Sequence, residues 1–268
     1  MDCRFDFTGV KMLPHPKIIY GDALNSLKNL PDLSYDFVFI DPPFNTNKKQ
    51  KIVSTGLSYI DKTDNYKDFI YPVLQELHRI ISDCGSIFIL ADYREIHYIK
   101  VWMDEIFGRN NFRNELIWHF ELGGISKKQW TNKHNTILWY SKSENYIFNF
   151  DKVPMTTRKY PKKGYEGDKK LCSVFDYTLS NTHPERVGYP NQKPLWILNM
   201  LMDVHTNSNS LVLDCFAGSG TTGHAAMING LNSVMIESNE AGIKVMEERF
   251  SDVINTESLR RHQLSDKI

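Results

Sequence analysis

With 268 residues, 41% of them hydrophobic and 24% charged, the chain can bury one large core and keep a solvated surface. No apolar run approaches the ~20 residues a membrane-spanning helix needs. Lysine plus arginine equals aspartate plus glutamate at 32 each, which excludes attraction to a polyanion through net charge and leaves only the placement of charge.

The opening stretch MDCRFDFTGVKMLPHPK lacks the apolar segment of a secretory signal, so a cytoplasmic protein is expected. Cys3, Cys84, Cys172 and Cys215 are scattered without a C-x-x-C pair. That spacing speaks against a zinc site or a disulfide framework and predicts small buried hydrophobes.

In chain order, the first strand is Lys17 to Tyr20, followed by Gly21-Asp22-Ala23. Phe37 to Ile40 is the second, and it stops abruptly on Asp41-Pro42-Pro43-Phe44. Residues 45 to 66 are polar, carry Lys48, Lys49 and Lys51, and read as a surface excursion able to close over the preceding turn. Asp68 to Ser82 places Phe69, Val73, Leu77, Ile80 and Ile81 on one helix face, with Gly85 as its stop. Strands follow at Ser86 to Leu90, Glu115 to Phe120 and Thr136 to Tyr140. His119 and His134 lack ligand spacing, and Trp118, Trp139 and Tyr140 are expected in the core, so the group they form with Trp130 is not read as a metal site.

Residues 151 to 188 break the rhythm. From Lys152 to Lys170 there are seven basic residues against two acids, Glu166 and Asp168. The alternation resumes with a helix at Lys193 to Asp203, a strand at Ser210 to Asp214, a helix at Thr221 to Asn229, a strand at Ser233 to Glu237 and a helix at Glu240 to Phe250. Continuously apolar strands alternating with helices predict an α/β, doubly wound, mostly parallel sheet. The expected division is a first part of one domain over 1–150, an inserted lobe over 151–188, and the rest of that domain over 189–268.

Two strand ends carry the chemistry. In LVLDCFAGSGTTG, Leu211 to Gly223, a buried strand ends at Asp214 and a glycine turn leads to Thr221-Thr222 at a helix start. Backbone N–H groups there suit an anionic group such as a carboxylate. The lysine of a phosphate-binding P-loop is missing, whereas Gly218, Gly220 and Gly223 meet the dinucleotide spacing. Glu237, ending the next strand, suits a ribose diol in either NAD or S-adenosylmethionine. At the other end, Asp41 and the Pro42 carbonyl offer two adjacent acceptors to a group with two N–H donors, and Phe44 offers a flat face to a heterocycle.

The combination of DPPF at Asp41 to Phe44, YPNQKP at Tyr189 to Pro194 and FAGSGTT at Phe216 to Thr222 closely resembles the amino-directed DNA methyltransferases. Their order, catalytic motif first, resembles the permuted β group, and the likeness covers roughly residues 17 to 250. The resemblance implies a Rossmann-like methyltransferase fold and methyl transfer from S-adenosylmethionine to an exocyclic base nitrogen. Asp41, Pro42, Pro43 and Phe44 match the catalytic tetrapeptide. Phe216, Ala217, Gly218, Ser219 and Gly220 match the cofactor loop, with Asp214 before it and Thr221 and Thr222 after, and Glu237 matches the ribose-binding acid. Gln192 and Lys193 match the segment flanking the methionine end of the cofactor, and Asp22 and Ala23 a stretch near its adenine ring. Asn191 stands where Thr is frequent, and Cys215 where Pro is frequent.

The implied partner is double-stranded DNA, whose target base must leave the stack. Lys48, Lys49, Arg158, Lys159, Lys162, Lys163 and Arg186, with Tyr160 and Tyr165, are the expected DNA contacts. The resemblance also accommodates a homodimer and a separate cognate restriction endonuclease. Asp as first motif residue favours adenine N6 over cytosine N4. An RNA- or protein-directed methyltransferase, an NAD-dependent oxidoreductase and a non-catalytic DNA-binding module are the competing readings; the oxidoreductase leaves DPPF and QKP without a role, and the binding module has no need of an intact DPPF.

Overall fold

The computed structural model describes residues 13–45, 48–51, 58–61, 65–158 and 167–265. Its elements are β1 (Lys17–Tyr20), α1 (Ala23–Leu27), β2 (Tyr35–Ile40), β3 (Lys48–Lys51), β4 (Ser58–Asp61), α2 (Tyr66–Ile80), β5 (Ile81–Ala91), α3 (Ile96–Phe107), β6 (Phe112–His119), β7 (His134–Ser141), β8 (Met155–Thr156), β9 (Lys169–Lys170), β10 (Val174–Asp176), α4 (Leu195–His205), β11 (Leu211–Asp214), α5 (Thr221–Ile228), β12 (Asn232–Glu237) and α6 (Glu240–Ser265). All seven strands expected from the sequence are present.

Eight strands form one sheet in the order β1-β12-β11-β2-β5-β7-β6-β10. The first five run parallel, β7 is antiparallel to both neighbours, and β10 runs parallel to β6. The apolar runs arise because both faces are covered. In β2, Val38 and Ile40 enter the core under α1, α2 and α3, whereas Phe37 and Phe39 enter the core under α4, α5 and α6.

This arrangement places the site. From β2 the chain crosses to β5 through α2 on one face, and from β11 it crosses to β12 through α5 on the other. Strands β11 and β2 are neighbours, with Leu213 opposite Val38. Connections leaving in opposite directions open a crevice outside the carboxyl ends of those two strands.

Several expectations change. Gly85 does not stop α2: the helix ends at Ile80 and β5 begins at Ile81 with no loop. Gly85 lies inside β5, where a Cβ would come within 2.8 Å of the Tyr35 carbonyl, beside the register shift between Tyr35 and Phe37. Helix α3 was not expected, because IHYIKVWMDEIF is rich in β-branched and aromatic residues and Glu95 makes no side-chain cap. Burial of Ile96, Ile99, Met103 and Phe107 imposes it. Helix α6 continues to Ser265, well past Phe250. The segment 151–188 delivers β10 to the edge of the main sheet, beside β6.

Cys215 is buried as expected, but Cys84 is half-buried, with its thiol facing Asp36, and Cys172 is exposed in the turn after β9; Cys3 lies outside the described residues. Among the described residues no helix is long and apolar enough to cross a membrane.

Helices α5 and α6 meet where glycine leaves room for a ring. A Cβ on Gly223 would lie 2.5 Å from Phe250 Cζ and 3.2 Å from Met235 Cγ. Phe250 is fully buried and cannot retreat into solvent. Gly223→Ala is therefore expected to destabilise the fold by about 1–3 kcal/mol through overpacking, measured as a lower urea midpoint; an unchanged midpoint would contradict this packing.

Candidate active site

Asp41 is the first residue beyond β2, at the mouth of the crevice. Its Oδ2 accepts a hydrogen bond from Lys193 Nζ in an ion pair whose side chains are 19% and 8% exposed, respectively. The same ammonium donates to the Asn191 carbonyl at 2.7 Å and lies 5.2 Å from the centroid of the Phe44 ring. Local backbone explains its aim: Asn191 has φ 55°, in the left-handed region that Asn tolerates, and Pro194 ends the turn as the N-cap of α4.

Gln192, one residue earlier, points elsewhere. Its amide donates to the Glu185 carbonyl at 2.8 Å and accepts from Val187 N at 2.9 Å. The Glu185 carboxylate accepts from Leu195 N at 2.7 Å and so caps the start of α4.

The turn after β11 is held from several sides. Asp214 accepts from Phe216 N at 2.9 Å and from the Thr222 hydroxyl at 2.6 Å. Gly218 and Gly220 adopt φ 51° and 73°, which other residues rarely do. Burial pushes the Asp214 carboxyl up to about 7, against those two hydrogen bonds, and the nearby Asp41 and Glu237 carboxylates push the same way as burial. Arg249, almost wholly buried on α6, donates through Nη1 to the Thr221 hydroxyl at 2.9 Å and to the Ser219 carbonyl at 3.2 Å. Burial pushes its guanidinium down to about 10.

At the end of β12, the Glu237 carboxylate accepts from Gly218 N at 2.7 Å and from Asn239 N at 2.8 Å. Burial raises its pKa, opposed by these backbone bonds. Gly21, after β1, donates its N–H to the Glu237 carbonyl at 3.0 Å. Asp22 caps α1 by accepting from Asn25 N at 3.0 Å.

These turns enclose a cleft of about 290 Å³. The structure brings together Asp22, Ala23, Asp41 to Phe44, Gln192, Lys193, Asp214, Phe216 to Ser219, Thr221, Thr222 and Glu237 along its wall. Gly220 sits just behind, where a Cβ would lie 2.6 Å from Met246 Cγ. Phe69 and Tyr189 also line the cleft. In sequence, Phe69 is an ordinary helix-face residue, and Tyr189 carries no signal beyond its place in YPNQKP. Arg249 and Glu185 gave no signal, since a charged residue in sequence looks like surface.

The expected DNA contacts are more dispersed. Lys48 and Lys49 belong to β3, which forms a hairpin with β4 soon after the Asp41 turn. Arg158 Nε donates to the Gly167 carbonyl at 3.1 Å. Arg186 donates to the carbonyls of Leu179 at 2.8 Å and Ser180 at 3.3 Å, bracing its own loop. Lys159, Tyr160, Lys162, Lys163 and Tyr165 lie outside the described residues. Trp118, Trp139 and Tyr140 are buried as expected, while Trp130 is exposed.

An open, mostly parallel sheet whose adjacent strands lead into a carboxylate and a glycine turn at one cleft defines an α/β enzyme of the nucleotide-cofactor class. Residues 35–248 match the DNA methylase model for N6- and N4-directed methyltransferases, and the chain belongs to that family. It is 31% identical over 242 residues to the DNA adenine methyltransferase YhdJ of Escherichia coli K12, spanning 85% of this chain and 80% of that protein. It is 29% identical over 257 residues to the type II methyltransferase M.HinfI of Haemophilus influenzae, spanning 88% and 68%. Among solved structures, the cytosine-N4-specific PvuII DNA methyltransferase aligns with a TM-score of 0.67 at 18% identity, over 91% of this chain and 93% of that one. The M1.HpyAVI–SAM complex aligns with a TM-score of 0.61 at 23% identity, over 87% and 98%. At those identities the structural likeness is one of fold.

Asp214 gives a pH signature. Its folded pKa of about 7 lies above the ordinary 3.8, so the folded state holds a proton that the unfolded state releases. Stability from this group is present below the lower value and is lost as pH rises through the window to about 7. Asp214→Asn is expected to remove that slope, so wild type loses stability relative to the variant across this range, by a few kcal/mol at ~1.4 per pK unit. His205, which burial pushes down to about 3, contributes an opposite slope to both proteins and cancels in the difference. Urea unfolding at several pH values checks this; parallel profiles would contradict it.

Proposed function

We propose that the chain methylates N6 of adenine in double-stranded DNA, with the target base extruded from the helix into the cleft. One observation carries the reading: the carboxylate that follows β2 already accepts an N–H from an ammonium, in the same cleft whose wall carries the Gly218–Glu237 contact.

The residues present fit S-adenosylmethionine. Gly218 leaves bare backbone beside the start of α5, and a side chain there would meet Tyr189 at 3.3 Å. In this reading Phe216 to Thr222 with Asp214 behind them, and Lys193, hold the methionine end, while Gln192 braces the loop beside it. Asp22 and Ala23 flank the adenine. Glu237 takes the ribose hydroxyls, since each carboxylate oxygen keeps a lone pair after accepting one backbone N–H. Bound there, the cofactor supplies a methyl group already activated on a sulfonium.

Asp41 and the Pro42 carbonyl accept the two N–H bonds of the exocyclic amine. This turns the nitrogen lone pair out of conjugation and stabilises the positive charge that develops on it. Lys193 retains the Asn191 carbonyl as a partner when the amine takes its place on Asp41. Asp41 is then the first acceptor for the proton the methylated nitrogen sheds. Phe44 stacks on the base, and the closed site contributes mainly alignment. Asp as first motif residue and the likeness to a protein named for adenine support N6 over cytosine N4. Residues 151–188 act as a target-recognition segment between the catalytic part, 1–150, and the cofactor-binding part, 189–268. Lys48, Lys49, Arg158, Lys159, Lys162 and Lys163 serve DNA, while Arg186 holds its own loop.

Incubating the protein with mixed-sequence duplex DNA and S-adenosylmethionine, then resolving the nucleosides by mass spectrometry, is expected to yield N6-methyladenine. N4-methylcytosine alone would overturn the adenine assignment. Asp41→Ala is expected to slow transfer by at least about 100-fold, the scale of losing a charge-stabilising acceptor, while S-adenosylmethionine still binds. Full activity in that variant would remove Asp41 from the mechanism.

A further inference from the structure

We propose that the finger between β6 and β7, residues 120–133, enters duplex DNA beside the extruded base, with Trp130 and Ile125 filling the vacated stack and Lys127 and Lys128 on flanking phosphates. The inference rests on the DNA-methylating reading above and adds a DNA contact to it.

Direction comes first. Strand β7 is antiparallel to both β5 and β6, so β6 runs parallel to β5 and β2 and ends at the same edge of the sheet as Asp41. In the order β2-β5-β7-β6 the finger springs three strand positions from the Asp41 turn, roughly 14 Å at the usual strand spacing. One turn of duplex DNA spans about 34 Å, so one duplex can meet both features.

The finger is built rather than slack. At its base, Lys133 Nζ donates to the carbonyls of Glu121, Leu122 and Gly123 at 3.2, 2.9 and 2.8 Å, and Phe120 N donates to the Lys133 carbonyl at 2.9 Å. Gly123, at φ 91°, turns the chain outward. Higher up, Ser126 N donates to the Thr131 hydroxyl at 2.8 Å and Lys128 N to the Ser126 hydroxyl at 3.3 Å. The charge of Lys133 is spent inside the finger, whereas Lys127 and Lys128 stand exposed at the tip.

Between these polar restraints the finger presents apolar side chains to water. Trp130 is 97% exposed and Ile125 90%, the two most exposed large hydrophobic residues among those described. An indole beside two lysines on a pre-formed finger matches a stacked polyanion in both charge and shape. Inserted apolar side chains offset the unstacking that extrusion requires. A protein surface or a second copy of the chain would also cover the indole, but the paired lysines favour a phosphate backbone.

Methylation is compared on two duplexes that differ only opposite the target base, one fully paired and one mismatched. Trp130→Ala is expected to lower kcat/KM on the paired duplex about tenfold and on the mismatched one by no more than about twofold, the size and selectivity of one lost base–aromatic stack. Binding of S-adenosylmethionine should be unchanged, and Trp130→Phe should restore most of the loss. Lys127→Ala with Lys128→Ala should reduce the salt slope of DNA binding by about 2. Equal activity of Trp130→Ala and wild type on the paired duplex, or equal losses on both duplexes, would overturn the wedge. So would a change in oligomeric state with DNA binding intact. If wild type methylates neither duplex, the proposed activity fails instead, and the wedge is read from Trp130 emission, as the wild-type minus Trp130→Phe difference: quenching by duplex supports it and no change refutes it.

Discussion

The ammonium of Lys193 resting on Asp41 is the contact around which the site is arranged. Strands β2, β11 and β12 are adjacent; β11 and β12 end in Asp214 and Glu237, and β2 is followed at once by Asp41. Three carboxylates converging on a partly dry cleft repel one another and each forfeits hydration. The structure relieves each differently. Asp214 is pushed toward its protonated form, Glu237 is spanned by two backbone N–H groups, and Asp41 receives a cation. Of these three forms of relief, only the last comes from the end of a long side chain. An amine entering the cleft must supply Asp41 with an equivalent donor, because a carboxylate left there without one would be costly.

The glycine-turn side of the cleft is fixed much more firmly. Asp214 ties Phe216 to Thr222, Glu237 ties Gly218 to Asn239, and Arg249 ties Ser219 to Thr221 from beneath. Each bond joins residues on different elements or across the turn, so the loop cannot relax without breaking several together. A turn so over-determined presents its backbone donors in one arrangement, which is what alignment catalysis needs. The Lys193 turn opposite depends on one left-handed asparagine and the bonds around Gln192 and Glu185.

Much of this was legible in the sequence. Strands buried on both faces write themselves as continuous apolar runs, and DPPF, QKP and FAGSGTT mark the turns that meet in the cleft. What was not legible depended on direction. Gln192 and Lys193 are neighbours, yet one braces the 185–187 loop and the other reaches Asp41. Arg249 sits in a run of acids and bases that reads as solvated helix, and only the fold turns it inward. Arg186 reads as a phosphate ligand but holds its own loop. Helix α3 lacked both a capping signal and favourable propensity, so its existence follows from burial alone.

The glycine pattern shows why one motif was insufficient. Gly218, Gly220 and Gly223 satisfy the dinucleotide spacing, but their causes differ. Gly220 and Gly223 clear space for Met246 and Phe250 of α6, a packing demand that any doubly wound nucleotide fold imposes. Gly218 alone of the three lines the cleft, where its N–H engages Glu237. The spacing therefore reports how a helix seats on its sheet and says little about which adenosine-bearing ligand arrives. The distinguishing information lies beyond the neighbouring strand, where the acid and two prolines that follow β2 line the cleft opposite the glycine turn. In the proposed reading, that turn holds the target nitrogen in one orientation for the transferred group.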